Sequence, residues 1–361
     1  MRVAAAGKFP YLGAEMQADR MDGTDKKLLN LLQTEVPIAP QPWGVVGERL
    51  GGVGEAKVME RVRALKAAKI IRQISAIFDT RSLSYESSLV AAQYDSARLD
   101  PAAAIVNAHP GVSHNYLRNH EFNLWFTIAT EPDSKLGLEG TLEVLAREAG
   151  AESVRQLPTL KLFKIRMDLE MEGDTDALSS AAEVKEPIEL ERQPYDELDI
   201  AVIRALQGDM PVVEEPYAAA AAELGLTQER LLDHLAGMQE RGILRRVAAI
   251  LYHRRAGFSA NGMGVWKVPD EQIFEIGCRM AAVRGISHCY QRPTYADWPY
   301  SVFTMAHGRS KEECDAVLDS IAERTGIHER ATLYSSTEFK KIRLLYFTDD
   351  FKDWERAHGG A

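Results

Sequence analysis

Two stretches of helical periodicity mark the start of two halves: "DKKLLNLL" from Asp25 and "ELDIAVIRAL" from Glu197 both repeat apolar residues three and four apart. A Pro-bearing break follows each, "EVPIAPQPW" and "DMPVVEEPY". Then come "VVGERLG" and "AAAAELG", where Gly ends a short helix. A third amphipathic stretch, "EAKVMERVRALKAAKII" or "TQERLLDHLAGMQERGIL", leads into the β-type runs "IRQISAIFD" and "RRVAAILYH". Three helices and a short wing predict a helix-turn-helix domain in each half.

Beyond the wing, strand-like and helical segments alternate. In the first half they are "SSLVAAQYD", a helix near Pro101 to Ala108, "NLWFTIAT", the helix "GTLEVLAREAG" and the run "LPTLKLFKIRMDL". The second half repeats the pattern with "NGMGVWKVP", "EQIFEIGCRMAAV", "YSVFTMAHG", "KEECDAVLDSIAERTG" and "EFKKIRLLYFT". The order β-α-β-β-α-β predicts a ferredoxin-like domain, and the fold class is α+β.

The halves are copies. Sliding the chain on itself by 174 positions superposes Gln33 on Gln207, Pro37 on Pro211, Pro42 on Pro216, Leu50-Gly51 on Leu224-Gly225 and Arg72 on Arg246. It also superposes "GVSHNYLR" from Gly111 on "GISHCYQR" from Gly285, so that Gly-x-Ser-His-x-Tyr-x-Arg occurs twice. A three-residue insertion near "PTYADWPY" moves the offset to 177, which matches Phe126-Thr127 to Phe303-Thr304 and one "KIR", at 164, to another at 341. A period this long excludes a solenoid and predicts homologous domains. The expected boundaries are an N-terminal extension over 1–20, helix-turn-helix domains over 21–78 and 195–252, ferredoxin-like domains over 79–170 and 253–361, and a polar, acidic linker over 171–194.

Composition narrows the partners. With 361 residues the chain can bury a core without covalent staples, and a net charge of -10 disfavours nucleic acid as the main partner. Three cysteines without Cys-x-x-Cys spacing suit a reducing compartment and offer no soft metal site. No run reaches transmembrane length and no signal-peptide core opens the chain, so a cytoplasmic protein without membrane contact is expected.

A helix-turn-helix followed by a ferredoxin-like domain resembles the leucine-responsive regulator (Lrp/AsnC) family. The Pro-bearing insertions and the paired "SHNYLR" and "SHCYQRPTYADWPY" stretches look like the siroheme decarboxylase family, whose two related subunits are fused in some organisms. The resemblance covers nearly the whole chain from about Met21. It implies loss of the C12 and C18 acetate carboxyl groups of siroheme to give 12,18-didecarboxysiroheme, for alternative haem or haem d1 synthesis. It implies no separate cofactor, since the iron belongs to the substrate, and pairing of domains within one chain, with a homodimer left open.

Siroheme is a flat, apolar macrocycle fringed with carboxylates, so its pocket needs aromatic walls and a basic rim. Tyr290, Tyr295, Trp298 and Tyr300 offer walls; Arg292, His288, His253 and Arg246 offer rim groups. His288 and its repeat partner His114 are the candidate general acids, because imidazole carries a proton near neutral pH. Axial ligation of the substrate iron is an alternative for either, or for His307 or His253. Arg292 and Arg118 read as carboxylate clamps, beside Tyr290 and Tyr116, with Arg246 and Arg72 in second place. The bland alternatives are a satisfied core histidine, a surface ion pair and aromatic core. The rival function is an Lrp/AsnC-type regulator with a tetrapyrrole-sensing domain. Against it, the third helices differ in charge: six Lys/Arg against two acidic residues from Glu55 to Arg72, four against three from Glu229 to Arg246. The helix-turn-helix elements are therefore expected to act as scaffolds. Because the first half shortens the aromatic loop to "NHEFN", the principal pocket is expected in the second half.

Overall fold

The computed structural model describes residues 21–165, 194–252, 260–308 and 310–358. The expected N-terminal extension, nearly all of the acidic linker and His253 lie outside the described residues. The chain divides into two units, neither of them continuous: residues 1–79 with 196–255, and 80–195 with 256–361.

The first unit gathers the helical parts of both halves. Helices α1 (Gly23–Thr34), α2 (Pro42–Arg49) and α3 (Glu55–Ala67) belong to the first half; α6 (Glu197–Leu206), α7 (Ala218–Glu223) and α8 (Gln228–Glu240) belong to the second. Asp22 and Asp196 each close a capping box with an Asp three residues on, which satisfies the first free amides of α1 and α6. The expected wings are β1 (Ile71–Phe78) and β7 (Leu244–Leu251), and they pair with each other, antiparallel, instead of standing alone. The Pro-bearing insertions cross between halves in the same way. Val36 N–H donates to the Val247 carbonyl and Met210 N–H to the Ile74 carbonyl, each at 2.6 Å. Trp43, fully buried, donates its Nε1–H to the Val213 carbonyl at 2.7 Å.

The second unit is built on β2 (Glu86–Gln93), α4 (Leu99–Ala108), β3 (His114–Arg118), β4 (Leu124–Thr130), α5 (Gly137–Ala149) and β5 (Ser153–Leu157), followed by β6 (Lys161–Ile165). The second half supplies β8 (Ala260–Trp266), α9 (Ile273–Ala281), β9 (Ile286–Gln291), β10 (Val302–Gly308), α10 (Lys311–Thr325) and β11 (Arg330–Lys341). All nine strands form one sheet in the order β5-β2-β4-β3-β11-β8-β10-β9-β6. Within it each half keeps the ferredoxin-like order, fourth strand, first, third, second.

What joins the halves is an exchange of their last strands. Residues 330–334 of β11 pair with β8 of their own half, and residues 335–341 pair with β3 of the other. Reciprocally, β5 pairs with β2 while β6, three residues further along, pairs with β9. The two ends of the strand order are thus consecutive in the chain, so the sheet turns back on itself. Its outer face carries the helices, over one core around Val106 and Leu145 and another around Met280 and Leu318. Its inner face encloses a third core, including Trp125, Val265, Phe303 and Leu333.

Two expectations need correction. The last strand spans 330–341, not the stretch "EFKKIRLLYFT"; residues 342–348 are not strand, and a further helix, α11 (Asp349–His358), follows. The inserted loop of the second half is four residues longer, not three. Arg118 N–H donates to the Asn123 carbonyl and Arg292 N–H to the Ser301 carbonyl, which makes Asn123 equivalent to Ser301 and the offset 178. A slip of one residue reverses which face a side chain takes. Trp125, not Phe126, is therefore the counterpart of Phe303: they stand opposite Tyr116 and Tyr290.

Candidate active site

Strand alternation decides which motif residues meet. Cys289 is fully buried in the core beneath the helices, so His288 and Tyr290 on either side of it take the inner face. On β3 Asn115 turns outward and donates to Asn107 Oδ1 at 3.0 Å, so His114 and Tyr116 also face inward. Within each motif the His and Tyr rings lie side by side, 6.2 Å apart at His114–Tyr116 and 6.0 Å apart at His288–Tyr290.

Each histidine is held by the serine before it. The Ser113 hydroxyl lies 3.0 Å from His114 Nδ1 and 2.8 Å from the Thr127 hydroxyl. The Ser287 hydroxyl lies 2.6 Å from His288 Nδ1 and 2.5 Å from His307 Nε2, and His307 Nδ1 lies 2.6 Å from Asn261 Oδ1. Burial holds His288 below the usual imidazole range, because a cation there loses its hydration. Nε2 of His288 has no hydrogen-bond partner among the described residues.

The arginines are more deeply placed than a surface clamp would be. Arg118 is 8 % exposed and Arg292 9 %. Arg118 Nη1 donates to the Leu333 carbonyl at 3.1 Å, and Arg292 Nη1 donates to the Leu157 carbonyl. Nε of each has no partner among the described residues. Each guanidinium lies near aromatic faces: Arg292 is 4.8 Å from the Tyr290 ring centre and Arg118 5.7 Å from that of Trp125. Burial pulls both down to about 10. The same loss of hydration pushes the Tyr290 phenol up to about 12.

The duplication of this site is matched by what the chain resembles. A model of the AsnC-like ligand binding domain matches residues 82–164 and 255–340, and one of the siroheme decarboxylase NirDL-like HTH domain matches 25–72 and 199–245. A siroheme decarboxylase of Hydrogenobacter thermophilus is 38% identical over 91% of this chain and 96% of its own. The chain belongs to the siroheme decarboxylase family. The crystal structure of a siroheme decarboxylase NirDL, 33% identical, superposes with a TM-score of 0.75 over 93% of this chain and 98% of that one. A second crystal structure of NirDL, in co-complex with an iron-uroporphyrin III analogue, gives 0.74 over 92% and 98%.

As a siroheme decarboxylase of the fused, two-repeat type in the Lrp/AsnC-like superfamily, the protein is a decarboxylating enzyme, a carboxy-lyase. Its long β9–β10 loop is used differently from the sequence reading. Trp298, expected to wall the ligand, is fully buried. Its ring packs at 5.3 Å against Trp125, 5.3 Å against His120 and 5.0 Å against Tyr300, and it completes the inner core. Tyr295 stays partly exposed and donates from its hydroxyl to the Gln156 carbonyl at 2.5 Å, while Asp297 pairs with Arg155. The loop thereby fastens onto the last strand of the first half.

Other expected site residues lie in the first unit. Arg246 is exposed on β7 opposite Ile77, and Arg72 sits at an irregularity of β1. Neither belongs to the sheet that carries the histidines. The sequence does not show that Ser287, His307 and Asn261 meet, although His307 is among the alternative iron ligands named from it. Ser287 was visible inside the repeated motif, but its contact with His307 depends on register, which no spacing in the sequence displays.

Proposed function

We propose that the enzyme removes the C12 and C18 acetate carboxyl groups of siroheme and releases 12,18-didecarboxysiroheme in the cytoplasm, for haem or haem d1 synthesis. The observation that carries this is the inner-face placement of His288, Tyr290 and Arg292, repeated by His114, Tyr116 and Arg118. In each decarboxylation the bond from the methylene carbon to the carboxylate breaks and CO2 leaves. The electron pair stays on that carbon, delocalised into the macrocycle. The imidazolium of His288 then delivers its Nε2 proton and a methyl group results. No separate cofactor takes part, because the conjugated substrate is itself the electron sink. The substrate's carboxylates favour the cationic imidazole that burial alone disfavours.

Arg292 and Arg118 are proposed to orient acetate arms through their guanidinium groups, with Tyr290 and Tyr116 lining the same face. Tyr295, which is partly exposed, is proposed to meet the macrocycle, with Trp298 in the core behind it. The partners proposed are the substrate and its product, with the two halves pairing within one chain, a homodimer left open, and neither nucleic acid nor membrane expected.

Incubating the anaerobic protein with siroheme and following its mass tests the reading: loss of two CO2 units is expected, and an unchanged tetrapyrrole refutes it. His288→Ala should nearly abolish turnover and His114→Ala should be milder. The reverse order would move the principal site to the first half.

A further inference from the structure

We propose that Asn261, His307 and Ser287 form a one-way hydrogen-bonded chain that positions His288 for the reaction, keeping a proton on its Nδ1 and reserving Nε2 for exchange with the substrate. The catalytic use of this chain rests on His288 being the acid.

Direction follows from donor and acceptor identity. Asn261 Oδ1 can only accept, so His307 Nδ1, 2.6 Å away, carries a proton. His307 Nε2 in the neutral ring is then an acceptor, and the Ser287 hydroxyl at 2.5 Å donates to it. That uses the one hydroxyl proton, since the Met305 carbonyl, 3.5 Å from the same oxygen, is the longer and weaker acceptor. The Ser287 oxygen must therefore accept from His288 Nδ1 at 2.6 Å. With Nδ1–H fixed, every gain or loss of a proton by His288 occurs at Nε2, the nitrogen without a partner among the described residues.

The sheet is shaped for this contact. Consecutive residues Met305 and Ala306 of β10 pair with His288 and Ile286, so Ser287 is left out of the ladder as a bulge. A bulge re-aims a side chain, and here it carries the hydroxyl to both imidazoles. His307 and Asn261 stand directly opposite each other on β10 and β8. The first half carries other residues at these positions. The corresponding pair there is Ala129 opposite Ser87, and Ser113 ends on the Thr127 hydroxyl, which can donate or accept. The chain thus distinguishes His288 from its copy by orientation, where the motifs themselves are identical.

The test reads the tautomer directly. Nitrogen NMR of the resting full-length protein should show His288 as the single Nδ1–H form. Ser287→Ala and His307→Ala should each give a mixture and lower kcat roughly 10- to 100-fold while KM for siroheme moves little, as expected when an orienting partner is lost. Asn261→Asp, an acceptor only, should keep the single tautomer and most of the activity. An unchanged tautomer and kcat in both His307→Ala and Ser287→Ala would overturn the proposal, and so would Asn261→Asp behaving like His307→Ala. Should His288→Ala still turn over siroheme while the tautomer responds as stated, the acid role fails and only the orienting chain survives.

Discussion

Arg118 and Arg292 act as reciprocal latches: each donates from Nη1 to a carbonyl on the other half's last strand, Arg118 to Leu333 and Arg292 to Leu157. Removing a latch should open the sheet where the halves meet. Arg118→Ala leaves a cavity and an unpaired carbonyl, and a loss of about 2–4 kcal/mol in urea unfolding is expected. Arg118→Met fills the space without a buried charge and should cost less than about 1.5 kcal/mol. Arg292→Met should likewise fold, yet bind siroheme more weakly in a spectroscopic titration. Unaltered affinity would confine that arginine to the latch.

Gly111, the first letter of the repeated motif, is required by backbone proximity. A Cβ there would lie 1.8 Å from the Ala129 carbonyl oxygen, and that backbone is fixed by Ala129 N–H donating to Gly111 O at 3.0 Å. Gly111→Ala should lower stability by at least about 1–3 kcal/mol in calorimetry. Gly23, with nothing within 4 Å of its Cβ position, should tolerate alanine without loss.

His109 sets an acid limit. It is 2 % exposed, accepts the Gly111 N–H on Nδ1 at 3.0 Å and packs edge-on to Trp354 at 4.4 Å. Burial, helped by the charges of Lys340 and His358, pushes it down to about 3 from 6.5. Between those values the unfolded chain binds a proton that the folded one refuses, so this contribution is complete above pH 6.5 and is lost as pH falls. The limit is roughly 4–5 kcal/mol. His109→Gln should flatten the stability curve between pH 6.5 and 4; an unchanged slope would show that other groups set it.

The helix-turn-helix elements should not read DNA. The basic residues of α3 are occupied within the protein: Lys57 by Glu60, Arg61 by Asp22 and Asp25, Lys66 by Asp209, and Arg63 by the Val212 carbonyl. Phosphate binding would have to displace these partners. No sequence-selective gel shift is expected at physiological salt; one that weakens steeply with salt would assign a second activity.

Much of this was legible in the chain. The three-and-four spacing in "DKKLLNLL" and "ELDIAVIRAL" marks α1 and α6, and the strand-like runs "NLWFTIAT" and "YSVFTMAHG" mark β4 and β10. The histidines were found because a repeat exposes what a single copy hides. The errors share one cause, contacts whose register spacing cannot reveal. The two "KIR" strings suggested that Lys164 matches Lys341, but Lys164 and Lys340 occupy equivalent rungs, opposite Cys289 and Asn115. Trp298 lies between Pro293 and Pro299, which read as a ligand loop, yet a large ring held over Trp125 is better accommodated as core. The exchange of last strands left no mark, because residues 335–341 are mostly polar and nothing in them tells which half's sheet they join.

That exchange also has a consequence during synthesis. β3 receives its second neighbour only when residues 335–341 emerge, more than 200 positions after Arg118. At ribosomal speeds of about 5–20 residues per second, the nascent first half waits roughly 10–45 s with one edge of its sheet bare. An edge in that state recruits any strand offered to it, including its twin on a neighbouring polysome. Production of the two halves as separate polypeptides should accordingly yield aggregates from either alone and folded protein from both together. Joining them in one chain keeps the correct closing strand tethered to the edge that awaits it.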